Sequence, residues 1–490
     1  MEVLRVVVTL SLLVSSVLRV GSEEVMATEI IPAIFNFGDS NSDTGGISAA
    51  FFPKTDPFGE TFFHRPAGRA SDGRLIIDFI AERLKLPYLS AYLDSVGTNF
   101  QQGANFATAG ATIRRQEESW FKNGISPFPL DIQVEQYVQF KARTNYLYNK
   151  ADTETSQRSN LPIPEDFSKA LYTIDIGQND LVEGFRNTND EQFRAEIPDI
   201  MNKFSAAVQQ LYQEGARAFW IHNTGPIGCL PLATVNIQNP KPGYLDEHGC
   251  IKGWNAAAVE FNKQLKDAVT QLRAELPQAA LTYVDIYAAK YGLINDAKNQ
   301  GFLDPFNICC GHYGNGISVG CGIKANVNGA EVFGGSCEDP STVISWDGVH
   351  YTEAANFWVA NQILNGSFSD PPNPITQLDE GRSFYMPKHR RVSKARVRLL
   401  RFHLRRFTDP LKICCGHHEN YDHVWCGQKA SINGTQYYGA SCASPSTFFS
   451  WDGVHYSDAA NHWIADRILN GSLSEPPILI THACHKNPSL

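Results

Sequence analysis

The sequence has 490 residues, 43% of them hydrophobic, which is enough to bury at least one large core and leaves room for more than one domain. The formal net charge of -9 at pH 7 argues against a general nucleic-acid binder, because neutralising phosphates requires a basic surface. We therefore expect a globular protein without a nucleic-acid partner.

Residues 1–22 have the form of a signal peptide. Arg5 precedes an apolar run, and small residues follow at Gly21 and Ser22. The run is too short to span a bilayer, Arg19 interrupts the region behind it, and no later stretch is long enough to span. These features predict a secreted, extracellular protein without stable membrane insertion.

Eleven cysteines fit an oxidising compartment, and their odd number leaves at least one thiol free or bonded to another chain. Cys309 and Cys310 with His312 could suit zinc, but disulfides with the later Cys321 and Cys337 are the favoured interpretation in a secreted chain. The sequence does not give the connectivity. Three sequons, at Asn365, Asn433 and Asn470, are candidate glycosylation sites in such a compartment.

The apolar residues 34–38 predict a short buried strand that runs into Gly38-Asp39-Ser40. Polar residues typical of helix caps follow, so Ser40 is expected at the carboxyl end of a sheet, beside the free N–H groups of a starting helix. This position suits a nucleophile, although a serine there can also act only as a helix cap. Residues from other segments that could act with Ser40 are needed to distinguish the two roles.

Helices and strands alternate after this motif. The alternation predicts a parallel sheet covered by helices on both faces, with functional loops at the carboxyl ends of the strands. Small residues at 103–110 allow close backbone approach to a ligand, and Gly177-Gln178-Asn179-Asp180 forms a polar turn after the second strand. Apolar spacing predicts a helix over residues 75–84, with Asp72 at the start of that helix. It also predicts helices over residues 200–212 and 254–272, and strands over residues 170–176, 218–221 and 281–285.

Asp347 and His350 lie three residues apart, just before a helix predicted to begin near Thr352. At this spacing the carboxylate can engage one imidazole nitrogen while the other faces outward. An Asp-x-x-His motif is of low specificity when it stands alone.

Residues 304–372 recur without a gap 105 positions later, as residues 409–477. The copy repeats the four cysteines and carries Asp452 and His455 in place of Asp347 and His350, but it has no second nucleophile motif. It therefore cannot form a second complete site, although it could in principle lend its Asp-His pair to the first. Between the copies, residues 388–406 hold nine Lys or Arg and no acidic residue, which we interpret as a linker.

Together these segments resemble the GDSL esterase/lipase family, also called SGNH hydrolases, and within it the secreted plant enzymes of the early-nodulin and latex-esterase type. The motifs that carry the resemblance are residues 37–45, 103–107, 177–180 and 347–350. The resemblance implies an α/β fold, a flavodoxin-like three-layer sandwich with a parallel sheet, plus the C-terminal partial repeat.

By this resemblance Ser40 would be the nucleophile, His350 the base held by Asp347, and Gly103 and Asn179 oxyanion donors. The expected activity is that of a serine esterase or lipase acting on a small-molecule or lipid ester, with no metal and no cofactor. An acyltransferase of the same fold and a non-catalytic storage, defence or binding protein are the alternatives. The predicted organisation is a signal peptide at 1–22, a hydrolase domain at 30–375, a basic linker at 376–407 and a partial repeat at 408–490.

Overall fold

The computed structural model describes residues 31–116, 124–150, 158–187, 190–235, 237, 239–314, 316–377, 409–419 and 422–469. The chain divides into two compact units, residues 1–385 and 386–490. The predicted signal peptide, the basic stretch 388–406 and the sequon at Asn470 lie outside the described residues.

The first unit alternates strands and helices along the chain. Its strands are β1 (Ile34–Gly38), β2 (Gly103–Asn105), β3 (Leu171–Asp175), β4 (Ala218–His222), β5 (Ala280–Val284), β6 (His312–Gly314), β7 (Ile317–Val319), β8 (Lys324–Val327), β9 (Ala330–Phe333) and β10 (Ser369–Asp370). Its helices are α1 (Gly46–Ala50), α2 (Ile76–Arg83), α3 (Leu130–Asn149), α4 (Gln178–Asn187), α5 (Asp190–Gln213), α6 (Pro231–Thr234), α7 (Lys252–Glu275), α8 (Ile286–Asn295) and α9 (Glu353–Ile363).

Six of the strands form the central sheet, in the order β2-β1-β3-β4-β5-β10. The first five run parallel, and β10 is antiparallel to β5. The order 2-1-3-4-5 is that of flavodoxin-like folds, in which loops at the carboxyl ends of the strands form the ligand site. The predicted α/β sandwich with a parallel sheet is confirmed.

Both faces of the sheet are covered by apolar side chains. Because successive strand residues point to opposite faces, Phe35 and Phe37 of β1 enter one cluster, with residues of α3, α5 and α7. Ile34 enters the other cluster, with residues of α2, α8 and α9. All three β1 residues are fully buried, so the strand that leads to Ser40 is fixed from both sides.

The predicted helix over residues 75–84 forms as α2, but Asp72 does not cap it. Asp78 accepts the hydrogen bond from the N–H of Leu75 at 2.9 Å. Asp72 instead accepts the N–H of Glu353, in the first turn of α9, at 2.7 Å. The expectation for Asp72 is wrong because the N-cap residue is Leu75, three residues later, which leaves Asp72 outside the first turn of the helix. The prediction that α9 starts near Thr352 is confirmed, since Thr352 Oγ1 accepts the N–H of Ala355 at 3.3 Å.

Small antiparallel hairpins and disulfides organise the region before α9. Strand β6 pairs with β7, and β8 pairs with β9. Cys309 bonds Cys337 and Cys310 bonds Cys321, so these thiols are not available for zinc. A further disulfide, Cys229–Cys250, lies between β4 and α7.

Within its described residues, the second unit repeats the hairpins but not the central six-stranded sheet. Its described elements are β11 (Asp409–Ile413), β12 (His417–Glu419), β13 (Asp422–Val424), β14 (Lys429–Ile432), β15 (Thr435–Tyr438), β16 (Phe448–Ser450) and α10 (Asp458–Leu469). Strand β12 pairs with β13 and β14 with β15, while β11 and β16 form a separate two-stranded sheet. The disulfides Cys414–Cys442 and Cys415–Cys426 have the same spacing as their counterparts in the first unit. Within the described residues of both units, none of the helices has the length and apolar character needed to cross a membrane.

Candidate active site

Ser40 lies in the turn that follows β1, at the carboxyl edge of the sheet, and is 6% exposed. The turn can form because residue 38 is glycine: a Cβ at Gly38 would stand 2.4 Å from the carbonyl oxygen of Asp175 in β3. Asp43, not Ser40, accepts the N–H groups at the start of α1, from Gly45 at 2.7 Å and Ile47 at 3.2 Å. Ser40 is therefore not the helix cap, and among the described residues neither its N–H nor its Oγ has a hydrogen-bond partner.

Asp347 and His350 form a closed loop before α9. His350 Nδ1 lies 2.7 Å from Asp347 Oδ2, and a carboxylate can only accept, so Nδ1 carries the proton. The N–H groups of Val349 and His350 donate to Asp347 Oδ1 at 3.0 and 2.9 Å. The other imidazole nitrogen, Nε2, is buried and has no hydrogen-bond partner in the described part of the chain. The loop thus fixes the tautomer that leaves Nε2 as an acceptor.

The electrostatics of this pair favour an ionised carboxylate. Burial opposes ionisation of Asp347, but the charge of His350 and its hydrogen bonds more than compensate, so the pKa of Asp347 lies below its usual value. An ionised Asp347 holds the imidazole in one orientation and stabilises the imidazolium that forms when Nε2 takes a proton.

Asn179 lies in the first turn of α4, directly after β3. Its Nδ2 donates to the carbonyl oxygen of Ala111 at 2.9 Å and makes a longer contact of 3.4 Å with Asp39 Oδ2. Because Asp39 precedes Ser40, the amide of Asn179 lies against the turn that contains Ser40. Of the two contacts, the one to Asp39 is the longer and the more easily exchanged.

Gly103 is not part of this arrangement. It begins β2 and pairs with Ile34, the first residue of β1, whereas Ser40 follows the last residue of that strand. A β-strand rises about 3.3 Å per residue, so the length of β1 separates Gly103 from the turn. The expectation that Gly103 is an oxyanion donor is wrong. Its role is steric, since a Cβ there would meet the carbonyl oxygen of Ile34 at 1.8 Å.

The same small-residue segment reaches the site at its other end, through Gly110. Asp43 accepts the N–H of the preceding Ala109 at 2.7 Å, and Ala111 accepts from Asn179. Gly110 has φ +81°, a conformation that favours glycine, and its N–H has no partner among the described residues. The sequence offered this residue as the second glycine of the segment 103–110, but spacing alone does not show which glycine faces the turn.

The turn that contains Ser40 and the loop of Asp347 and His350 are both followed or adjoined by residues that contact Lys290 of α8. Lys290 Nζ donates to Asn41 Oδ1 at 3.3 Å and lies 4.8 Å from the ring centroid of Tyr351, the residue after His350. A small cavity behind the loop is lined by Lys290, Tyr351 and Val349, among others. Nothing in the sequence points to Lys290, because a lysine within a helix is usually exposed.

Comparison with known proteins shows the family. The model of the GDSL-like lipase/acylhydrolase family matches residues 34–363. The chain belongs to this family. A GDSL esterase/lipase of Arabidopsis thaliana is 57% identical over 356 residues, which is 73% of this chain and 91% of the relative.

Two further relatives match the same part of the chain. An esterase of Hevea brasiliensis is 50% identical over 351 residues, 70% of this chain and 88% of the relative. The GDSL esterase/lipase ENOD8 of Medicago truncatula is 48% identical over 343 residues, again 70% of this chain and 88% of the relative. The resemblance to plant enzymes of the early-nodulin and latex-esterase type is confirmed, and with it the enzyme class, a hydrolase acting on ester bonds.

Proposed function

We propose that the protein is a secreted serine esterase that hydrolyses carboxylic esters through an acyl-serine intermediate at Ser40. The observation that carries this proposal is the buried, unpartnered Nε2 of His350, whose other nitrogen is held by Asp347 at 2.7 Å. Among the described residues, Nε2 of His222 is also buried without a hydrogen-bond partner, but the side chain of His222 is 4% exposed against 16% for His350, so His350 is the histidine that a substrate can reach. A buried nitrogen without a partner calls for an explanation. The role of general base supplies one, because Nε2 is then free to take the proton of Ser40.

In the first step Ser40 Oγ attacks the ester carbonyl carbon while its proton passes to His350 Nε2. The carbonyl oxygen becomes an oxyanion, and Asp347 stabilises the imidazolium. The N–H groups of Ser40 and Gly110 and the Nδ2 group of Asn179 are the proposed donors to the oxyanion. The N–H groups of Ser40 and Gly110 have no partner among the described residues, and Asn179 Nδ2 can keep its 2.9 Å bond to Ala111 while it exchanges only the 3.4 Å contact with Asp39. Donating to the new negative charge therefore breaks no strong existing hydrogen bond.

In the second step the tetrahedral intermediate collapses. The C–O bond to the alcohol breaks, and the alcohol leaves with the proton from His350. Water then attacks the acyl-serine with His350 again as base, and a second collapse releases the carboxylic acid and restores Ser40. Transfer of the acyl group to an alcohol instead of water follows the same steps, so comparing hydrolysis with alcoholysis of one ester separates an esterase from an acyltransferase.

Hydrolysis of p-nitrophenyl butyrate by Ser40→Ala tests the nucleophile. Loss of a serine nucleophile lowers kcat by a factor on the order of 10⁴ to 10⁶ in serine hydrolases. The matched control is Ser48→Ala in α1, which should hydrolyse at the wild-type rate. Wild-type turnover by Ser40→Ala would overturn the proposal.

Asn179→Ala tests the oxyanion donors. Losing one side-chain donor lowers kcat by about 10² to 10³-fold with little change in KM, because the hydrogen bond strengthens only as charge develops. Asn187→Ala, at the far end of the same helix, is the matched control. An equal loss in both variants would show that α4 is merely destabilised.

Secretion and glycosylation are part of the same proposal. The signal-like residues 1–22 and the five disulfides of the two units support an oxidising compartment. Asn365 and Asn433 are both exposed and accessible to a glycosyltransferase. Protein secreted by plant cells should lose mass on treatment with a peptide N-glycosidase. Under the same treatment, the Asn365→Gln and Asn433→Gln variants should each lose less mass than the wild type.

A further inference from the structure

The described residues contain two buried cationic side chains, and they differ in how their charge is satisfied. Arg69 is 7% exposed and donates to both oxygens of Asp78, at 2.9 and 2.6 Å. Lys290 is 6% exposed, yet among the described residues its only hydrogen bond is the 3.3 Å contact to Asn41, and no carboxylate pairs with it directly. An ammonium group has three donors. Lys290 is therefore not a structural ion pair of the kind that Arg69 forms.

The contact with Asn41 begins a chain of hydrogen bonds around Ser40. Asn41 accepts from Lys290 with Oδ1 and donates with Nδ2 to Asp39 Oδ1 at 2.9 Å. Asp39 Oδ2 in turn contacts Nδ2 of Asn179 at 3.4 Å. The chain thus runs from α8 to the proposed oxyanion donor through the residues on either side of the nucleophile.

The other side of Lys290 contacts the base loop. Its ammonium lies over the ring of Tyr351, next to His350, and its stem is enclosed by the turn after β4. A Cβ at Gly225 would stand 3.0 Å from Lys290 Cδ, so the side chain has little room to move. One buried group therefore touches both segments that have to meet in the reaction.

We propose that Lys290 is a positioning residue: through Asn41 and Asp39 it holds Ser40 and Asn179 in place against the loop of His350. This inference rests on the proposed function, because it concerns the same site. Lys290 itself does not contact the reacting atoms and transfers no proton.

The charges around Lys290 make the proposal testable through pH. The groups that face it are Asp39 of the nucleophile turn, Asp175 at the end of β3, with its partner His222 of β4 at 3.2 Å, and Tyr351. Burial and the charge of Asp175 raise the pKa of Asp39 to about 7, against the opposing effects of Asn41 and Lys290. Only an ionised Asp39 can accept hydrogen bonds from both Asn41 and Asn179 without also donating one, so this chain of hydrogen bonds is complete above the pKa of Asp39.

Lys290→Met removes the charge and keeps the volume of the stem. Misplacement of the reacting groups costs on the order of 10²-fold in kcat, with KM unchanged. Without the positive charge Asp39 ionises at higher pH, so the acid limb of the kcat profile moves to higher pH. The melting temperature of Lys290→Met should not fall along with kcat, because replacing a buried charge that has few partners with an apolar group is often neutral or stabilising.

The control is Lys263→Met in α7, an exposed lysine paired with Asp267 at 2.9 Å, which should change neither kcat nor the pH profile. If Lys290 acts through Asn41, the double variant with Asn41→Ala loses no more activity than the worse single variant. Should Lys290→Met fail to fold, Asn41→Ala breaks the same chain and predicts the same loss of kcat.

A kcat loss that only follows the loss of folded protein, with an unmoved pH profile, would overturn the inference, as would an additive double variant. A crystal structure of Lys290→Met gives an answer independent of activity. Displaced side chains of Asn41 and Asn179 support the proposal, and unmoved ones contradict it. Failure of the proposed function is a separate outcome, seen as equal hydrolysis by wild type and Ser40→Ala.

Discussion

The two Asp-x-x-His loops have nearly the same local geometry in very different surroundings. In both, the distance from His Nδ1 to Asp Oδ2 is 2.7 Å, and the same two backbone N–H groups donate to the other carboxylate oxygen. The side chain of His350 is 16% exposed, whereas that of His455 is 75% exposed. The local sequence thus determines the hydrogen-bond geometry of the Asp-His pair, but it does not determine how deeply the pair is buried.

The helix that follows each loop shows where the burial comes from. In the first unit Ile363 of α9 is fully buried in the cluster formed with α2 and α8. Its counterpart in the second unit, Ile468 of α10, is 50% exposed. In its described part, the second unit repeats the loop and its helix but not the central sheet and the helices that cover them in the first unit. An Asp-His pair becomes a candidate base only where a nucleophile and a buried setting are supplied by other segments.

The largest contrast is expected between the two histidines. His350→Ala should lower kcat for p-nitrophenyl butyrate by a factor on the order of 10⁴ to 10⁶, because it removes the proposed acceptor of the Ser40 proton. His455→Ala should retain wild-type kcat. If His350→Ala stays active and a further His455→Ala change abolishes the activity, the second copy supplies the base and the comparison fails.

The carboxylates should repeat this contrast at a smaller scale. Asp347→Asn preserves the shape but offers an amide to Nδ1, which favours the wrong tautomer and costs about 10⁴-fold in kcat in a comparable triad. Asp452→Asn should leave kcat unchanged. Equal losses in the two variants would contradict a single working dyad.

The smallest contrast concerns stability rather than rate. Ile363→Ala opens a cavity in the core and should cost about 2–5 kcal/mol of unfolding free energy. Ile468→Ala truncates a half-exposed side chain and should cost less than about 0.5 kcal/mol. Urea unfolding followed by tryptophan fluorescence measures both, and similar costs would mean that α10 is as well covered as α9.

Much of the site could be predicted because it depends on local sequence. Ser40 and Asn179 each follow an apolar strand, and parallel strands bring their carboxyl ends to one edge of the sheet. Asp347 and His350 are joined by a spacing of three residues that fits one tight loop. These positions require no knowledge of how distant segments align.

The predictions that were wrong or missing depend on how distant segments align with one another. The register of β2 against β1 decides that Gly110, not Gly103, lies at the nucleophile end, and a segment of small residues does not specify its register. Lys290 was missed for a related reason. Its helix is ordinary in sequence, and only the fold shows that it faces Asn41 and Tyr351.

The central claim is that the chain has one active serine, Ser40, served by His350. Labelling the full chain with a fluorophosphonate and measuring the intact mass and the modified peptide tests it most directly. We predict a single adduct on the peptide that contains Ser40, and its absence in Ser40→Ala and near absence in His350→Ala. An adduct on another serine, or equal labelling of Ser40→Ala and wild type, would contradict the claim.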